Sequence, residues 1–531
     1  MTLPAPLPVS ARWRRCSQTA LAVLLVSAAT GFAGAHALAQ PLNNVPNSMR
    51  LPTLGDTARE DLSPVVERKL GEEIMREIRR DRSYLDDDAI SEYLNNFGGA
   101  LVDAVPGARG ETNADFHFFP VRDGAINAFA LPGGFIGIHT GLVLAAQTES
   151  ELASVVSHEI GHVSQRHIAR MLGQQRQDVL LPLAALILAA LAAKASPDAA
   201  MGVLMGGQGL AVQRQLNFSR DAEREADRVG FQIMSAGGYD TSGMVNFFKR
   251  LQSVSKVYGE IPAFLSSHPL TSERIVDIQS RIRETPYRQR PDSIEFHLAK
   301  ARARVLQDMG SNARRDTRTA FETQLAQQHR QQQAAAQYGL AFLALKEGNL
   351  ASARSWFDKS RASLQPKAGV FSAAPASDGG AMFAVLDLEI KLAAGQPKEV
   401  VQQALNDAKA ATNEYPLSRA LARQYASAMI AAGKFEDATR YLRDQVQLYR
   451  EDPKLYDLLA KAYSSQGKVA LQHMALAESY VLAGALPAAV DQLNFARKAK
   501  DVSFYEQSVI DAREREITAR QKEEKEEETG R

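Results

Sequence analysis

The 531-residue chain has little of three things: it contains one cysteine, two tryptophans and ten histidines, and its formal net charge is only +1. A single cysteine excludes a disulfide framework within the chain. The near-zero charge lacks the basic excess typical of nucleic-acid binding, so nucleic acid is not an expected partner. The length exceeds what one hydrophobic core supports, and two or three domains are expected.

The first 39 residues have the three-part layout of a secretory signal peptide. Basic residues precede an apolar run from Ala20 to Ala29, and Ala37 and Ala39 supply the small side chains of a cleavage site. The apolar run is too short for a membrane anchor. Cleavage would remove Cys16, which excludes a cysteine nucleophile from the mature protein. The pattern predicts an exported, soluble protein.

Sequence texture divides the remaining chain into four parts. Residues 40–63 form a mature N-terminal segment, and residues 64–284 mix helical and strand patterns with glycine-rich turns. Residues 285–515 are dominated by alanine-rich helical patterns separated by glycines. Residues 516–531 are so charged that they predict a solvated helix fraying into a disordered tail.

The segment Thr148–Met171, TESELASVVSHEIGHVSQRHIARM, predicts one long helix. Thr148 followed by Glu151 is a capping-box signature that starts the helix at about Glu149. Apolar residues at helical spacing continue the pattern through Met171. The HExxH motif therefore lies inside a helix rather than in a loop.

His158 and His162 are four residues apart and share one face of that helix. Imidazole nitrogens at this spacing can bind one zinc ion, and Glu159 is placed to take the proton of an attacking water molecule. The alternative is an ordinary helix with two hydrogen-bonded histidines. Chance matches to the motif in a chain this poor in histidine are on the order of one in a hundred, which favours the metal.

A catalytic zinc ion needs a third protein ligand and an open fourth position. In LNFSRDAEREADRVGFQIM, residues Leu216–Met234, Glu223 and Asp227 are again four apart on a predicted helix. One carboxylate could bind the metal while the other orients a ligating histidine. Alone, the segment is typical of an exposed charged helix; after an HExxH helix, it favours completion of the site.

HEIGH together with SRDAEREAD resembles the gluzincin metallopeptidases, the family of the CAAX prenyl proteases, HtpX and Oma-type enzymes. The resemblance implies an α+β zincin-like metallopeptidase domain, mostly helical with a small sheet, that binds one Zn2+ per chain. It makes His158, His162 and Glu223 the zinc ligands and Glu159 the general base. Asp227 falls on the family's aspartate, a proton donor or a histidine-orienting group. We favour orientation, because a carboxylate beside a ligating imidazole should stay ionised.

The stretch INAFALPGGFIGIHTGLVLAA has two short apolar runs about Pro132, which predicts a hairpin. In zincins a strand beside the active helix pairs with the substrate backbone. The resemblance places Gly133, Gly134 and Phe135 at that strand, whereas the sequence alone is equally consistent with an ordinary core hairpin.

Three further polar residues and one apolar stretch need an interpretation. His139 and His167 are predicted to be structural or exposed rather than ligands, and Glu225 does not match the family's ligand position. Val179–Ala193 is strongly apolar but interrupted by Pro182, and it is too short for a complete membrane span. It predicts a buried or interfacial helix and leaves a peripheral membrane contact open.

The segment FLSSHPLTSERI contains a histidine that could reach the metal. Pro269 disfavours helical backbone at His268, and Thr271 or Ser272 can cap the next helix. His268 is a surface residue, an oxyanion donor, or a fourth zinc ligand that closes the resting site. We favour the fourth ligand, which must leave before water attacks, because an exported protease without a visible inhibitory propeptide needs another restraint.

The C-terminal half contains an internal repeat, in which a glycine is followed five residues later by alanine and, four residues further, by a large apolar residue. The copies are Gly348/Ala353/Phe357, Gly433/Ala438/Leu442 and Gly484/Ala489/Leu493, with a weaker copy at Gly395/Val400/Ala404. Gly433 and Gly467 are 34 residues apart, the tetratricopeptide period. The pattern predicts an all-α tetratricopeptide solenoid after the peptidase domain, with a plain helical bundle as the alternative.

Two functions are consistent with this organisation. The first is a zinc endopeptidase whose repeats recruit substrate or dock on an assembly machine. The pairing of an exported protease domain with repeats resembles periplasmic family members, and implies unfolded or misassembled outer-membrane proteins as substrates and the outer-membrane β-barrel assembly machinery as a partner. The second is an exported chaperone or scaffold with a structural zinc ion. Glu159 favours the enzyme, because a structural zinc site does not need a carboxylate beside its first histidine.

Overall fold

The computed structural model describes residues 62–173, 220–258, 262–288, 290–326, 329–365 and 379–528. The predicted signal peptide and the apolar stretch Val179–Ala193 lie outside the described residues. Among the helices that are described, none combines the length and apolar character needed to cross a membrane.

The described part of residues 62–288 is mostly helical with a small sheet. Its elements are α1 (Pro64–Arg80), α2 (Asp88–Asp103), β1 (His117–Val121), β2 (Ala128–Leu131), β3 (Phe135–His139), α3 (Thr140–Ala145), α4 (Glu149–Ser164), α5 (His167–Gly173), α6 (Arg220–Ala236), α7 (Ser242–Tyr258), α8 (Ala263–Ser267) and α9 (Ser272–Glu284). This composition agrees with the expected mostly helical peptidase domain.

The described part of residues 290–528 is helical throughout. Its elements are α10 (Ile294–Gln307), α11 (Ser311–Leu325), α12 (Arg330–Lys346), α13 (Leu350–Leu364), α14 (Gly380–Lys391), α15 (Lys398–Glu414), α16 (Arg419–Ala431), α17 (Phe435–Leu448), α18 (Pro453–Ser465), α19 (Val469–Leu482), α20 (Leu486–Lys498) and α21 (Phe504–Glu528). The predicted tail is helical as far as Glu528, and Ile517 within it is buried.

The three strands form a sheet of order β1-β3-β2, in which β1 runs parallel and β2 antiparallel to β3. β2 and β3 are the predicted hairpin, joined by the 3₁₀ turn Pro132–Gly134. Gly133 has a φ of 76° in this turn, a left-handed conformation that glycine adopts without strain. β2 packs against α4, so the sheet lies beside the HExxH helix.

The HExxH helix begins as predicted but ends early. The Thr148 side chain accepts a hydrogen bond from the backbone N–H of Glu151, which caps the helix. The prediction that the helix continues through Met171 is wrong, because Arg166 has a φ of 52° and separates α4 from α5. The buried Arg166 guanidinium donates hydrogen bonds to Glu67, and this long-range pair holds the break in place.

The glycine turns and the alanine-centred contacts of the C-terminal region agree with the sequence pattern. Gly348 and Gly433 lie between helices with a φ of 75° each, where a side chain would be strained. The alanine and large apolar positions of the three full copies are at most 1% exposed, namely Ala353, Phe357, Ala438, Leu442, Ala489 and Leu493. In the weaker copy Ala404 is buried and Val400 only half-buried.

The two regions share one hydrophobic cluster that extends from Leu62 to Ala475, where separate cores were expected. The helices α10, α14 and α16 all pack against α2. At this junction the buried Arg302 guanidinium donates to Asp87, 2.8 Å away, and to Glu389. The sequence pattern therefore changes near residue 285, but the side chains on the two sides of this position pack in one continuous core.

The helical region also contacts the C-terminal end of α1. Arg80, the last residue of α1, donates a hydrogen bond of 2.8 Å to the carbonyl of Ala483. Nearer the middle, Lys454 lies 2.6 Å from Asp88 at the start of α2. These contacts attach the helical region to the first two helices of the peptidase region at several points.

Candidate metal centre

Four buried side chains from three parts of the fold converge. His158 and His162 come from α4, Glu223 from α6, and His268 from the segment between α8 and α9. Their ligand atoms all lie within 4.8 Å of one another, and each residue is at most 2% exposed. Buried ionisable groups are paired or bind metal ions, and imidazoles beside a carboxylate are a donor set typical of zinc sites.

The spacing of these atoms fits a tetrahedral metal ion. The two Nε2 atoms of His158 and His162 are 3.0 Å apart, and Glu223 oxygens lie 3.4 and 3.5 Å from them. His268 Nδ1 lies 3.4 Å from His158 Nε2 and 2.9 Å from Glu223 Oε1. Zinc bonds of about 2.0–2.1 Å in tetrahedral geometry separate the ligand atoms by about 3.3 Å. The separations of 2.9–3.5 Å are close to this value, and the donor set suits a metal ion of the zinc type.

Two glycines allow α4 and α6 to approach closely enough to build the site. A Cβ atom on Gly161 would lie 2.9 Å from the backbone of Ala226, and one on Gly230 would lie 3.0 Å from the backbone of His158. A side chain at Gly161 would force the two backbones apart, and one at Gly230 would be tighter than most contacts, so glycine favours this close helix crossing. The crossing brings Glu223 and Asp227 to the two histidines of α4.

Asp227 and Arg274 surround the cluster. Asp227 Oδ1 lies 3.0 Å from His158 Nδ1, the ring nitrogen that does not face the ligand atoms. Arg274, from α9, donates hydrogen bonds of 2.6 and 2.8 Å to the two oxygens of Asp227 and lies 2.8 Å from Glu223 Oε2. The sequence analysis did not identify Arg274. Two carboxylates predicted to be buried at the site, Glu223 and Asp227, could have indicated that a cationic side chain lies beside them.

The proton affinities in the cluster differ widely. Burial lowers the pKa of His158, but hydrogen bonds to Asp227 and Glu223 outweigh burial and raise this pKa to about 9. Burial and the neighbouring His158 hold the pKa of His162 well below its usual value. Burial opposes ionisation of Glu223, yet His268 and Arg274 keep the pKa of this carboxyl well below its usual range.

Glu159 lies at the edge of the cluster. Both its carboxyl and the ring of His268 are buried, and Glu159 Oε1 is 3.4 Å from His268 Nε2. Burial raises the pKa of Glu159, an effect that His268 and His158 partly oppose. A carboxyl with a raised pKa can both take up and release a proton nearer to neutral pH.

The interpretation of His268 as a surface residue is wrong, because only 2% of the residue is exposed. Its backbone is not helical, as Pro269 predicts, and Thr271 caps α9 by accepting a hydrogen bond from the Arg274 backbone. The ring packs against Phe264, with ring centroids 4.8 Å apart. His268 is thus fixed within the cluster, in a position that suits a ligand or a donor at the metal.

Gly133, Gly134 and Phe135, the candidates for a substrate-pairing strand, lie in the turn between β2 and β3 and at the start of the central strand. Phe135 belongs to the central strand β3 and is paired with both neighbouring strands. The Gly133 carbonyl accepts a hydrogen bond from Arg68 of α1, and this guanidinium also stacks over the Phe135 ring. A Cβ on Gly134 would collide with the Asp115 carbonyl. Within the described sheet it is β2 that forms the end beside α4.

The remaining polar residues occupy two different environments. His139 is fully buried at the end of β3, with Nδ1 3.9 Å from Asp123. His167 is buried beside the cluster, 2.9 Å from His162, and it contacts Glu225. Burial opposes ionisation of Glu225, but hydrogen bonds from His167 and Arg170 lower its pKa to about 2. Glu225 lies outside the group of ligand atoms.

Comparison with known proteins agrees with this geometry. The model of Peptidase family M48 matches residues 102–282, which include α4, α6 and the His268 segment. The chain is 30% identical over 463 residues to the Beta-barrel assembly-enhancing protease of Escherichia coli (strain K12), covering 87% of this chain and 90% of that protein. It is 32% identical over 485 residues to the Yersinia pestis protein of that name, covering 91% and 94%.

A more distant relative is the Mitochondrial metalloendopeptidase OMA1 of Schizosaccharomyces pombe, 26% identical over 211 residues, covering 37% of this chain and 60% of that protein. The buried ligand cluster beside a glutamate defines a metallopeptidase, as predicted. The chain belongs to peptidase family M48. Within that family its similarity to the beta-barrel assembly-enhancing proteases extends over most of its length, and the predicted class of zinc metalloendopeptidase is confirmed.

Proposed function

We propose that this chain is a periplasmic zinc endopeptidase that binds one zinc ion through His158, His162 and Glu223, with Glu159 as general base. The observation that carries the proposal is the convergence of these ligand atoms, at tetrahedral spacing, beside the buried Glu159 carboxyl. A purely structural zinc ion would have no use for that carboxyl.

The side chains divide the work of peptide hydrolysis. A bound zinc ion supplies Lewis acidity, which polarises the peptide carbonyl and lowers the pKa of water. Glu159 accepts the proton of the attacking water and passes it to the departing amine, a task that its raised pKa supports. Asp227 fixes the ring of His158 through Nδ1, and Arg274 keeps Asp227 ionised.

We assign His268 to the fourth position of a resting form. Its Nδ1 lies among the ligand atoms, and the position it fills is the one that the attacking water needs. His268 must therefore move aside before hydrolysis. The segment that carries it is short and lies between α8 and α9, apart from the helices α4 and α6 that carry the other three ligand residues.

We assign substrate pairing to β2 rather than to the turn at Gly133. β2 forms the end of the described sheet and packs against the HExxH helix. An extended peptide can add to a sheet edge through backbone hydrogen bonds, which are independent of sequence. Such pairing suits a protease that cleaves unfolded chains.

The substrates are misassembled outer-membrane proteins, and the helical region assists their assembly by docking on the β-barrel assembly machinery. Three observations support this part: the similarity to beta-barrel assembly-enhancing proteases, the signal-peptide pattern, and repeat positions that are buried as in stacked helix pairs. The 34-residue spacing of Gly433 and Gly467 favours tetratricopeptide repeats, which present concave surfaces to partners.

The test is a cleavage assay on residues 40–531 with an unfolded outer-membrane β-barrel protein as substrate. We expect cleavage that a chelator abolishes and stoichiometric zinc restores, with Glu159→Gln as the inactive control. Cleavage that survives chelation would contradict the zinc mechanism. Binding of the unfolded protein without cleavage, in wild type and in His268→Ala alike, would favour the exported chaperone or scaffold instead.

A further inference from the structure

His162 has a neighbour on the side that faces away from the metal cluster. Its Nδ1 lies 2.9 Å from Nδ1 of His167, and both rings are buried. On its other side, His167 Nε2 lies 3.0 Å from Glu225 Oε2. Arg170 donates a hydrogen bond of 2.8 Å to the same carboxylate oxygen. Two imidazoles and a carboxylate thus form one continuous chain of hydrogen bonds.

Metal binding at His162 fixes the direction in which hydrogens are donated along this chain of hydrogen bonds. His162 presents Nε2 to the other ligand atoms, so this nitrogen must carry a lone pair and the ring proton must be on Nδ1. That proton faces His167 Nδ1, which can accept it when this nitrogen is unprotonated. The proton of His167 is then on Nε2, where the ionised Glu225 accepts it. Each contact therefore has one donor and one acceptor.

The break in the HExxH helix makes this contact possible. In a continuous helix, a residue five positions along lies about 140° around the axis and points away from its predecessor. The left-handed conformation of Arg166 instead turns the start of α5 so that His167 faces His162. Glu67 holds Arg166 in this conformation.

We propose that His167 and Glu225 are positioning residues that fix the tautomer and the orientation of His162 for metal binding. Asp227 contacts His158 directly, whereas the carboxylate that serves His162 acts through an intervening imidazole. This inference rests on the proposed function, because it assumes that His162 binds the metal through Nε2. Partners of this kind typically contribute about 10–100-fold to metal affinity.

The experiment compares zinc affinity, by chelator competition, in full-length variants. His167→Leu removes the acceptor, and we expect zinc binding weakened by about 10–100-fold. His167→Asn can place its side-chain oxygen near the position of Nδ1, and we expect it to recover most of the affinity. His139→Leu is the matched control, since it removes another buried histidine that lies outside the ligand cluster. The visible spectrum of the cobalt-loaded protein should change with His167→Leu and not with His139→Leu.

Glu225→Ala provides a second route if His167→Leu does not fold. We expect Glu225→Ala to weaken zinc binding in the wild-type background. Where His167→Leu does fold, adding Glu225→Ala to it should have no further effect. Unchanged affinity in folded His167→Leu or in Glu225→Ala would overturn the inference, as would equal losses in the Leu and Asn variants. The proposed function fails separately, if wild-type protein binds no zinc or if Glu159→Gln still cleaves peptide.

Discussion

Asp227 Oδ1 lies 3.0 Å from Nδ1 of His158, while Nε2 of the same ring faces the other ligand atoms. The imidazole is thereby held between a carboxylate and the site of the metal. Glu223, one helical turn earlier on α6, instead reaches the ligand cluster itself. Two carboxylates four residues apart therefore have different consequences when they are removed.

Glu223→Ala should strip the metal, whereas Asp227→Ala should weaken zinc affinity or activity by roughly 10–100-fold, because only Glu223 offers a ligand atom. Metal content after gel filtration, with competition titrations, measures both. Glu225→Ala removes the neighbouring acid, which offers no ligand atom, so it should weaken zinc binding but still bind zinc at saturating concentration. Loss of all metal in Glu225→Ala but not in Glu223→Ala would place the ligand half a turn away.

Glu159→Gln should leave zinc bound and the fold intact but reduce hydrolysis by several orders of magnitude. The amide has nearly the same shape but cannot accept the proton of the attacking water. Peptide cleavage and zinc content are measured on the same preparation. Near-normal turnover with zinc present would remove Glu159 from the proposed role.

His268→Ala should retain zinc and increase activity, including cleavage of the protein by itself, because it vacates the fourth position. The variant keeps the three other ligand residues, so its zinc content should stay near one per chain. Reduced activity with metal retained would instead indicate that His268 donates to the oxyanion. Initial rates on a short peptide and gel analysis of self-cleavage distinguish the two outcomes.

Zinc affinity should rise with pH. Burial disfavours a charged His158, but Asp227 and Glu223 outweigh burial and raise its pKa to about 9. Zinc binds the neutral ring, so below this pKa a proton must leave, and affinity should fall by up to about tenfold per pH unit. Chelator competition at two pH values, about 7 and about 8.5, tests this, with Asp227→Asn expected to flatten the slope. An affinity independent of pH would contradict the assignment.

Arg302→Ala should lower the free energy of unfolding by about 3–5 kcal/mol, because it leaves Asp87 buried without its cation. Arg318→Ala is the control, since its pair with Glu347 is partly exposed and should contribute about 0–1 kcal/mol. Denaturant titration of both variants measures the difference. Equal effects would show that the junction between the two regions does not depend on this ion pair.

The parts of the site that sequence predicts are those set by local spacing. The Thr148 cap and the histidines of α4 follow from residues within one helix. The spacing of Glu223 and Asp227 marks them as a pair, and only the resemblance to the gluzincins selects Glu223 as the ligand. Arg274 was missed because its carboxylate partners lie 47 residues or more away in sequence. The early end of α4 depends in the same way on Glu67, 99 residues away from Arg166.

The distinction between local and long-range contacts also explains which features of the sheet and of the junction between the two regions could be predicted. The hairpin of β2 and β3 follows from a local turn, whereas the parallel pairing of β1 with β3 depends on the fold as a whole. The buried contact of Arg302 with Asp87 joins residues 215 positions apart. Nothing in the local pattern around either residue indicates that the helical region would share a core with the peptidase region.

The helix α1 contacts both regions. In its first two turns, Glu67 accepts a hydrogen bond from Arg166 at the break after the HExxH helix, and Arg68 donates one to the Gly133 carbonyl. Its last residue, Arg80, donates a hydrogen bond to the Ala483 carbonyl in the helical region. At about 1.5 Å per residue, this rod of 17 residues spans about 25 Å. One helix thus connects the loop at Ala483 in the helical region with the residues that fix the end of the HExxH helix and the turn between β2 and β3.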